Sequence, residues 1–249
     1  MEGLKVLRST QIIILGICFV IATIASTAII TKGLMQIKKF SNEVIEVTGS
    51  AEKKIVSDYI VWNAEFSRRD AELKKAYSLL QSDLKKVKDY LSSKGVKDEE
   101  LVTSQVSTSV FYKKNDKGSE TNQIEGYVLS QGIEVKSNDV KKIDNVSRES
   151  TELINQDVQF ISQAPAYYYT KLAELKIEML AMASEDAKQR AISMANSTGN
   201  KIGFMRSARM GVFQITPITS TEVSWYGEND TSSLEKKVMA VVTASFAIQ

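Results

Sequence analysis

One uninterrupted apolar run dominates the start of the chain. No residue from Ser9 to Thr31 is charged, and the nineteen residues from Ile12 to Ile30 are almost entirely apolar. In a helix, nineteen residues extend roughly 28 Å, close to the hydrocarbon thickness of a bilayer. The run therefore predicts a single N-terminal transmembrane helix. Its membrane-anchoring side chains are expected to include Ile12, Leu15, Phe19, Ile24 and Ile30.

A cleaved secretory signal peptide is the alternative interpretation of this run. The apolar region of a signal peptide is usually about 7 to 15 residues long, which is shorter than the run seen here. The small residues Ser26-Thr27-Ala28 offer only a weak cleavage site. The length therefore favours an uncleaved anchor, and a mature start near Ile29 would favour processing instead.

Flanking charge does not decide the orientation of the helix, because basic residues lie on both sides of it: Lys5 and Arg8, then Lys32, Lys38 and Lys39. A single span at the N-terminus with a long polar part behind it favours a single-pass membrane protein whose N-terminus is inside. Residues 1–40 are then the anchor with its flanks. Residues 41–249 are expected to form one extracytoplasmic domain, which contains no cysteine.

Beyond residue 40, stretches with a period of two alternate with stretches of helical period. The predicted elements are strands over 43–56 and 58–68, a helix over 70–93, strands over 101–112 and 124–136, a helix over 138–155, a strand over 158–162, a helix over 170–197, and strands over 202–215 and 236–249. In the second strand the apolar residues alternate on one face: Ile60, Trp62, Ala64 and Phe66. The predicted helix over 70–93 ends at Gly95.

The order of these elements predicts an α+β fold. Residues 58–162 follow the order β-α-β-β-α-β, which is that of a split βαβ, ferredoxin-like sandwich, and a long helix and two strands follow it. The last strand carries apolar residues on both faces, Val242 and Ala244 on one and Met239 and Val241 on the other. We therefore expect both faces to be covered, either in the centre of a sheet or at a subunit contact.

Composition removes most catalytic chemistry. The 249-residue chain has no histidine and one cysteine. Serine and cysteine nucleophile systems that use histidine, and histidine-ligated zinc or haem, are therefore excluded. Residues 1–40 carry five basic and one acidic side chains, and the remainder carries 27 basic and 29 acidic ones. A near-neutral exported part makes a nucleic-acid interface unexpected.

Acidic residues also give no sign of a catalytic or metal site. The pairs Glu99-Glu100 and Glu185-Asp186 lie in a predicted loop and on a predicted exposed helix face, without calcium-loop spacing. We interpret them as solvated surface. No catalytic residue, cofactor or metal ligand is predicted, and the chain is not expected to be an enzyme.

Several segments together resemble the SIMPL-domain family of bacterial envelope proteins. They are Val44-Ile45-Glu46-Val47-Thr48-Gly49, Asp58, Gly126-Tyr127, the stretch 183–203 and the alternating last strand. A proline that often precedes the aspartate is Ser57 here, and a glycine usual before the strand over 158–162 is replaced within Asn155-Gln156-Asp157. The resemblance implies an α+β domain that self-associates, in some relatives into rings or channels, with links to oxidative-stress tolerance or envelope integrity. It also implies that the anchor lies in a bacterial inner (cytoplasmic) membrane and that residues 41–249 are periplasmic. It implies no catalytic residues.

Aromatic residues supply the candidate oligomer interface. Three consecutive tyrosines cannot all face one core, and a Trp-Tyr pair stands in the polar stretch 216–235, which is long for a connection. Interface placement and partial burial remain open for the tyrosines, as do a binding loop and simple disorder for 216–235. The candidate residues are Tyr167, Tyr168, Tyr169, Trp225, Tyr226 and Val241.

Three hypotheses about function remain after these exclusions. The favoured one is a non-enzymatic envelope protein, anchored in the lipid bilayer, that assembles with itself into a ring or cage. The alternative is a periplasmic binding or stress-response module released by signal peptidase, whose 216–235 loop closes over a ligand. A hydrolase that uses two carboxylates is the weakest hypothesis.

Overall fold

A computed structural model describes residues 2–221 and 224–249, with side chains for 13–35, 43–221 and 224–249. The helices are α1 Glu2–Asn42, α2 Leu73–Ser93, α3 Val140–Glu149 and α4 Leu172–Ser197, with 3-10 turns at Asp98–Glu100 and Ser150–Gln156. The strands are β1 Val44–Val56, β2 Tyr59–Asp70, β3 Leu101–Thr103, β4 Ser107–Lys114, β5 Glu120–Ser137, β6 Gln159–Ser162, β7 Ala166–Tyr168, β8 Ile202–Met210, β9 Gln214–Pro217, β10 Glu228–Asn229 and β11 Glu235–Ile248. The fold is α+β with one N-terminal apolar helix, as predicted.

The chain divides into two compact units. The first comprises residues 1–50, 181–211 and 241–249, and the second comprises 51–180 and 212–240. Three elements, β1, α4 and β11, continue from one unit into the other. The boundary placed after residue 40, and the assignment of 41–249 to one domain, stay predictions.

The second unit contains the predicted split βαβ arrangement. Its sheet has the order β3-β5-β2-β6, and β4 pairs with β5 while β7 pairs with β2. Each of these pairs is antiparallel. Strand β5, which follows β4 through a hairpin, therefore lies between β2 and the β3-β4 segment, with α2 connecting β2 to β3. This is the ferredoxin-like order.

The core of this unit lies under one face of β2. The side chains at the four alternating positions are buried as predicted: Ile60, Trp62, Ala64 and Phe66. Helix α2 contributes Ala76, Leu80, Val87 and Leu91 to the same core. Leu73 and Tyr77, which the helical periodicity also places on the buried face, are exposed, and Asp83 and Tyr90 are buried instead.

Helix α2 ends as its glycine predicts. Gly95 has φ +79, and the N–H of Val96 donates to the carbonyl of Leu91 at 3.0 Å. The Gly95 N–H donates to Ser92 at 2.9 Å, which completes a Schellman motif. Val96 is buried in the core, so the turn that stops the helix also returns the chain to it.

Two predicted elements differ in the structure. The strand predicted over 101–112 is broken at Ser104, between β3 and β4. The Ser104 N–H donates to the Gly132 carbonyl, and the Ser104 hydroxyl accepts from the Gly132 N–H in place of the Ser104 carbonyl. The helix predicted over 138–155 ends at Glu149 and continues as a 3-10 turn. Its N-cap is Asp139, whose carboxylate accepts from the Lys142 N–H at 3.2 Å.

In the first unit, the C-terminal part of β11 lies between β1 and β8. Strand β8 is antiparallel to β11, with Thr243 opposite Arg209. Strand β1 is antiparallel as well. The Ile248 N–H donates to the carbonyl of Glu43 at 3.1 Å, and the hydroxyls of Thr48 and Thr243, later on β1 and earlier on β11, are 3.3 Å apart. A core of Val47, Ala187, Ala191, Ala244 and Phe246 joins this sheet to α4. β11 is therefore central in its sheet.

Helix α1 contains the predicted apolar run. Residues Ile13–Met35 have a mean hydropathy of 2.6, and none of this segment is buried against the rest of the chain. By length and composition the helix can cross a membrane. Of the predicted anchor residues, Leu15, Phe19, Ile24 and Ile30 are exposed, and the side chain of Ile12 lies outside the described residues. Glu43 alone separates α1 from β1.

Candidate functional site

Two adjacent aromatic side chains project almost completely from the second unit. Trp225 is 92% exposed and Tyr226 is 96% exposed. They occupy a turn between β9 and β10, and the Gly227 N–H closes this turn by donating to the Ser224 carbonyl at 3.3 Å. Because exposed tryptophan and tyrosine are characteristic of the centres of protein interfaces, this aromatic turn, Ser224–Gly227, is the leading candidate contact surface.

The aromatic turn is held by buried contacts at its base. The buried amide of Gln214 donates from Nε2 to the Ser224 carbonyl at 2.5 Å and accepts from the Ser224 N–H at 3.3 Å. Gly227 has φ +84, and a β-carbon there would come within 2.9 Å of the Phe213 carbonyl. The turn is thus fixed by one buried side chain and by a glycine that no other residue replaces without strain.

The three tyrosines have three different environments. Tyr167 is 7% exposed and belongs to the core of the second unit. Tyr168 points the other way along β7 and is 40% exposed, while Tyr169 is partly buried. The alternation of a strand separates neighbours onto opposite faces, so a surface contact in this segment would involve Tyr168 rather than Tyr167.

Tyr167 ends in a polar network. Its hydroxyl donates to Asp144 Oδ1 at 2.6 Å, and Arg148 donates to the same carboxylate at 3.1 Å. Burial, together with the hydrogen bond to Asp144, raises the pKa of Tyr167 to about 12. Burial opposes ionisation of Asp144, but the hydrogen bonds from Tyr167 and Arg148 outweigh it and lower its pKa. The Tyr167 hydroxyl therefore has a structural role, which is to anchor the side chain to Asp144.

Lys236, like Asp83, is a buried charged residue that the sequence did not single out. It is 2% exposed, and its Nζ donates to the carbonyl of Tyr167 at 2.6 Å and also to that of Asp230. Burial lowers its pKa, while the nearby Asp230 carboxylate acts in the opposite direction. Its neighbour Lys237 follows the ordinary surface pattern of a strand, so the sequence carries no signal that distinguishes the two.

The remaining candidates lie on different elements and have different environments. Val241 is partly buried on β11 in the first unit. Glu99 and Glu185 are exposed. Glu100 accepts hydrogen bonds from the Lys97 N–H and the Ser137 hydroxyl, and Asp186 accepts one from the Ser50 N–H at 2.8 Å. Among the described residues no group of three His, Cys, Asp or Glu side chains could hold a metal ion.

Strand β8 is a candidate surface that sequence reasoning missed. All its residues after Gly203 are exposed, and they include Phe204, which is 79% exposed, Met205 and Met210. Its sequence has apolar residues on both faces, two arginines and no acidic residue. Apolar residues on both faces are typical of a central strand, so the sequence alone does not indicate an exposed surface. The sheet order is what places β8 at an edge.

The family model described as SIMPL, a protein of unknown function (DUF541), matches residues 45–246. This chain belongs to the SIMPL family. No curated protein matches it. Among solved structures it is similar to an amidase of the hydantoinase/carbamoylase family from Burkholderia phymatum, with 9% identity and a TM-score of 0.29 over 49% of this chain. The chain spans about a third of that amidase, 32% of its length, and the likeness carries no argument about activity.

The SIMPL segments recognised in the sequence have clear physical roles. A β-carbon on Gly49 would lie 2.3 Å from the carbonyl of Ala183 and 2.3 Å from the nitrogen of Ala187. The glycine of β1 and the alanines of α4 therefore allow direct helix-to-strand backbone contact. Asp58 holds the start of α4, because its carboxylate accepts from the Thr170 N–H at 2.7 Å and from its hydroxyl at 2.8 Å.

The two departures from the SIMPL pattern also have structural correlates. The Ser57 N–H donates to the Leu234 carbonyl at 2.9 Å, a bond that a proline at this position lacks. Asp157 has φ +61, the left-handed conformation that a glycine adopts without a steric penalty. It is the one described non-glycine residue with positive φ.

Proposed function

We propose that this SIMPL protein is a non-enzymatic, membrane-anchored envelope protein whose extracytoplasmic part assembles with itself into a ring or cage. The aromatic turn carries this proposal. Exposing two large aromatic side chains to water is unfavourable, and here a buried amide and a positive-φ glycine hold them exposed. A contact surface fixed in this way loses little conformational entropy on binding.

The N-terminal helix supports assembly on a membrane. Its 23-residue apolar segment is free of contacts with the rest of the chain and can therefore lie in lipid. Confinement to one surface raises the effective concentration of the exported parts, so that even a modest contact suffices for association. In this proposal the N-terminus of α1 is cytoplasmic and residues 41–249 are periplasmic.

Native mass measurement of the detergent-extracted full chain tests self-assembly. A closed oligomer is expected, and a monomer at micromolar concentration would refute the proposal. Substitution of both Trp225 and Tyr226 by alanine is expected to weaken assembly by about 2 kcal/mol or more, because such residues dominate interface energies. The matched control is Ile161→Ala, which truncates an exposed apolar residue elsewhere on the second unit. Unchanged assembly of the aromatic variant would remove the turn from the interface.

The released binding module is the second candidate function. The observation that favours it is the long connection between β9 and β11, part of which is fixed by Gln214 next to the exposed aromatic pair. The mass of the protein purified from membranes distinguishes the two functions. An intact Met1 supports the anchor, whereas a mature start near Ile29 supports release.

A further inference from the structure

The sheet of the first unit has an open edge on each side. In the described chain, β1 and β8 each pair with β11 and with no other strand. Both run antiparallel to β11 and therefore parallel to each other. An unpaired strand presents a row of backbone donors and acceptors that another chain can pair with.

The two edges differ in charge. Arg209 on β8 lies opposite Thr243, and the hydroxyls of Thr243 and Thr48 on β1 are 3.3 Å apart. Glu46 stands two residues before Thr48 and so shares its face. Glu46 and Arg209 both line a depression of about 430 Å³ on this face, and among the described side chains neither has an ion-pair partner. One edge thus presents an unpaired acid and the other an unpaired base.

Strand β8 is only partly protected against pairing at its edge. Protected edges are usually short, carry charges or bulges, or are covered by another element. β8 has two arginines and two register shifts with β11, near Ser245 and Phe246, but it is nine residues long and exposes Phe204, Met205 and Met210. Among the described strands, none pairs with its outer edge.

We propose that β8 of one copy pairs with β1 of the next copy, in parallel, so that the sheets of neighbouring subunits become continuous. The inference rests on the proposed self-assembly and adds to the aromatic turn a second contact surface, which lies in the first unit. A β8-to-β8 contact pairs two strands that carry arginines and no acidic residue, so it gains no attraction between opposite charges. The β1-to-β8 contact instead places Glu46 and Arg209 on the same face of adjacent strands, where opposite charges attract.

This contact is head-to-tail and therefore determines the kind of assembly. A β8-to-β8 contact uses the same surface twice and stops at a dimer. A β1-to-β8 contact leaves one open edge at each end of the pair, and it continues until rotation closes a ring. The charge difference between the edges thus favours a ring over a dimer.

Charge reversal tests the contact in the full chain. Glu46→Lys and Arg209→Glu are each expected to weaken assembly roughly tenfold, about 1.4 kcal/mol, because an attraction becomes a repulsion. The double variant restores an opposite-charge pair and is expected to recover assembly. Far-UV circular dichroism of each variant monitors folding. Single variants that assemble normally, or a folded double variant without recovery, would overturn the inference.

Cysteine cross-linking supplies a readout that does not depend on affinity. In a Cys18→Ser background, Glu46→Cys combined with Arg209→Cys is expected to give a ladder of dimers, trimers and larger species on oxidation. Within one chain the two positions are separated by β11, roughly 10 Å for two strand spacings, which is too far for a disulfide. Arg209→Cys alone is expected to remain uncross-linked, and a dimer of that variant would overturn the proposed pairing.

The outcomes separate this inference from the proposed function. A wild-type chain that is monomeric by native mass refutes self-assembly itself. A wild-type oligomer that neither responds to charge reversal nor yields the cysteine ladder leaves self-assembly intact and refutes the pairing of β1 with β8.

Discussion

A β-carbon on Gly49 would lie 2.3 Å from the backbone nitrogen of Ala187. Neither the strand nor the helix has a flexible side chain at this point that can move aside. Gly49→Ala is therefore expected to lower the free energy of unfolding by about 3 kcal/mol or more, at the upper end of overpacking effects. Thermal unfolding of the detergent-solubilised chain measures the change.

Gly211→Ala is the matched control for that prediction. It lies in the same unit, its φ is not positive, and an added β-carbon would meet Val241 at ordinary contact distances of 3.4 and 3.5 Å. A change of less than about 1 kcal/mol is expected. Equal effects of the two substitutions would contradict the close-packing argument.

Asp157→Gly is expected to stabilise the protein by up to about 1 kcal/mol, because a left-handed conformation costs an L-residue about 1 to 2 kcal/mol and part of that gain is offset by the greater freedom of glycine when unfolded. Denaturant titration measures it. Asp157→Asn distinguishes the loss of the charge from the relief of backbone strain, because the Asp157 carboxylate interacts electrostatically with Arg68. A loss of stability with glycine and none with asparagine would show that backbone strain at this position is not what limits stability.

Tyr167 predicts a loss of stability in alkali. Its pKa is about 12 in the folded protein and about 10 when unfolded, so the unfolded state ionises first. The raised pKa of Tyr167 therefore contributes roughly 2 to 3 kcal/mol to the free energy of unfolding. This contribution is complete below about pH 10 and is lost as the pH rises towards 12. The stability difference between wild type and Tyr167→Phe is expected to shrink over this range, as unfolding at several pH values will show.

Tyr168→Phe is the control for the alkaline effect, because Tyr168 is an exposed neighbour on the same strand. A constant difference between wild type and Tyr167→Phe from pH 10 to 12 would show that burial and the hydrogen bond to Asp144 do not hold the phenol protonated.

Arg68 and Asp83 form an ion pair whose acidic side chain is almost fully buried. The pair is bidentate, and its second bond, from Nη2 to Oδ1, is 2.8 Å long. Asp83→Ala leaves a partly buried guanidinium without its carboxylate and is expected to destabilise the protein by about 3 to 5 kcal/mol. Glu125→Ala, which breaks the exposed pair with Arg69, should cost less than about 1 kcal/mol. Chemical denaturation of both variants provides the comparison.

Local patterns predicted most of the fold because each depended on neighbours in sequence. The alternation from Ile60 to Phe66 and the stop at Gly95 are of this kind, and both are confirmed. The break at Ser104 was not predictable, since it depends on a hydrogen bond to Gly132 in another strand. Asp83 was missed for the same reason, because its partner Arg68 is on β2.

The candidate surface was predictable only in part. Trp225 and Tyr226 stand out in a polar stretch, and the structure shows both exposed. The exposure of β8 depends on its place at the edge of a sheet, which residue periodicity does not report. The separation of Glu46 and Arg209 by one intervening strand likewise follows from the strand order alone.

The single residue between α1 and β1 couples the apolar helix mechanically to the sheet of the first unit. A flexible tether would let the helix tilt freely, but Glu43 provides only one pair of backbone dihedrals for the joint. A bilayer whose thickness forces α1 to tilt must therefore apply torque to the strand that forms one edge of the sheet. Under the proposed anchoring and self-assembly, lipid thickness thereby becomes a variable that acts on the geometry of subunit contact.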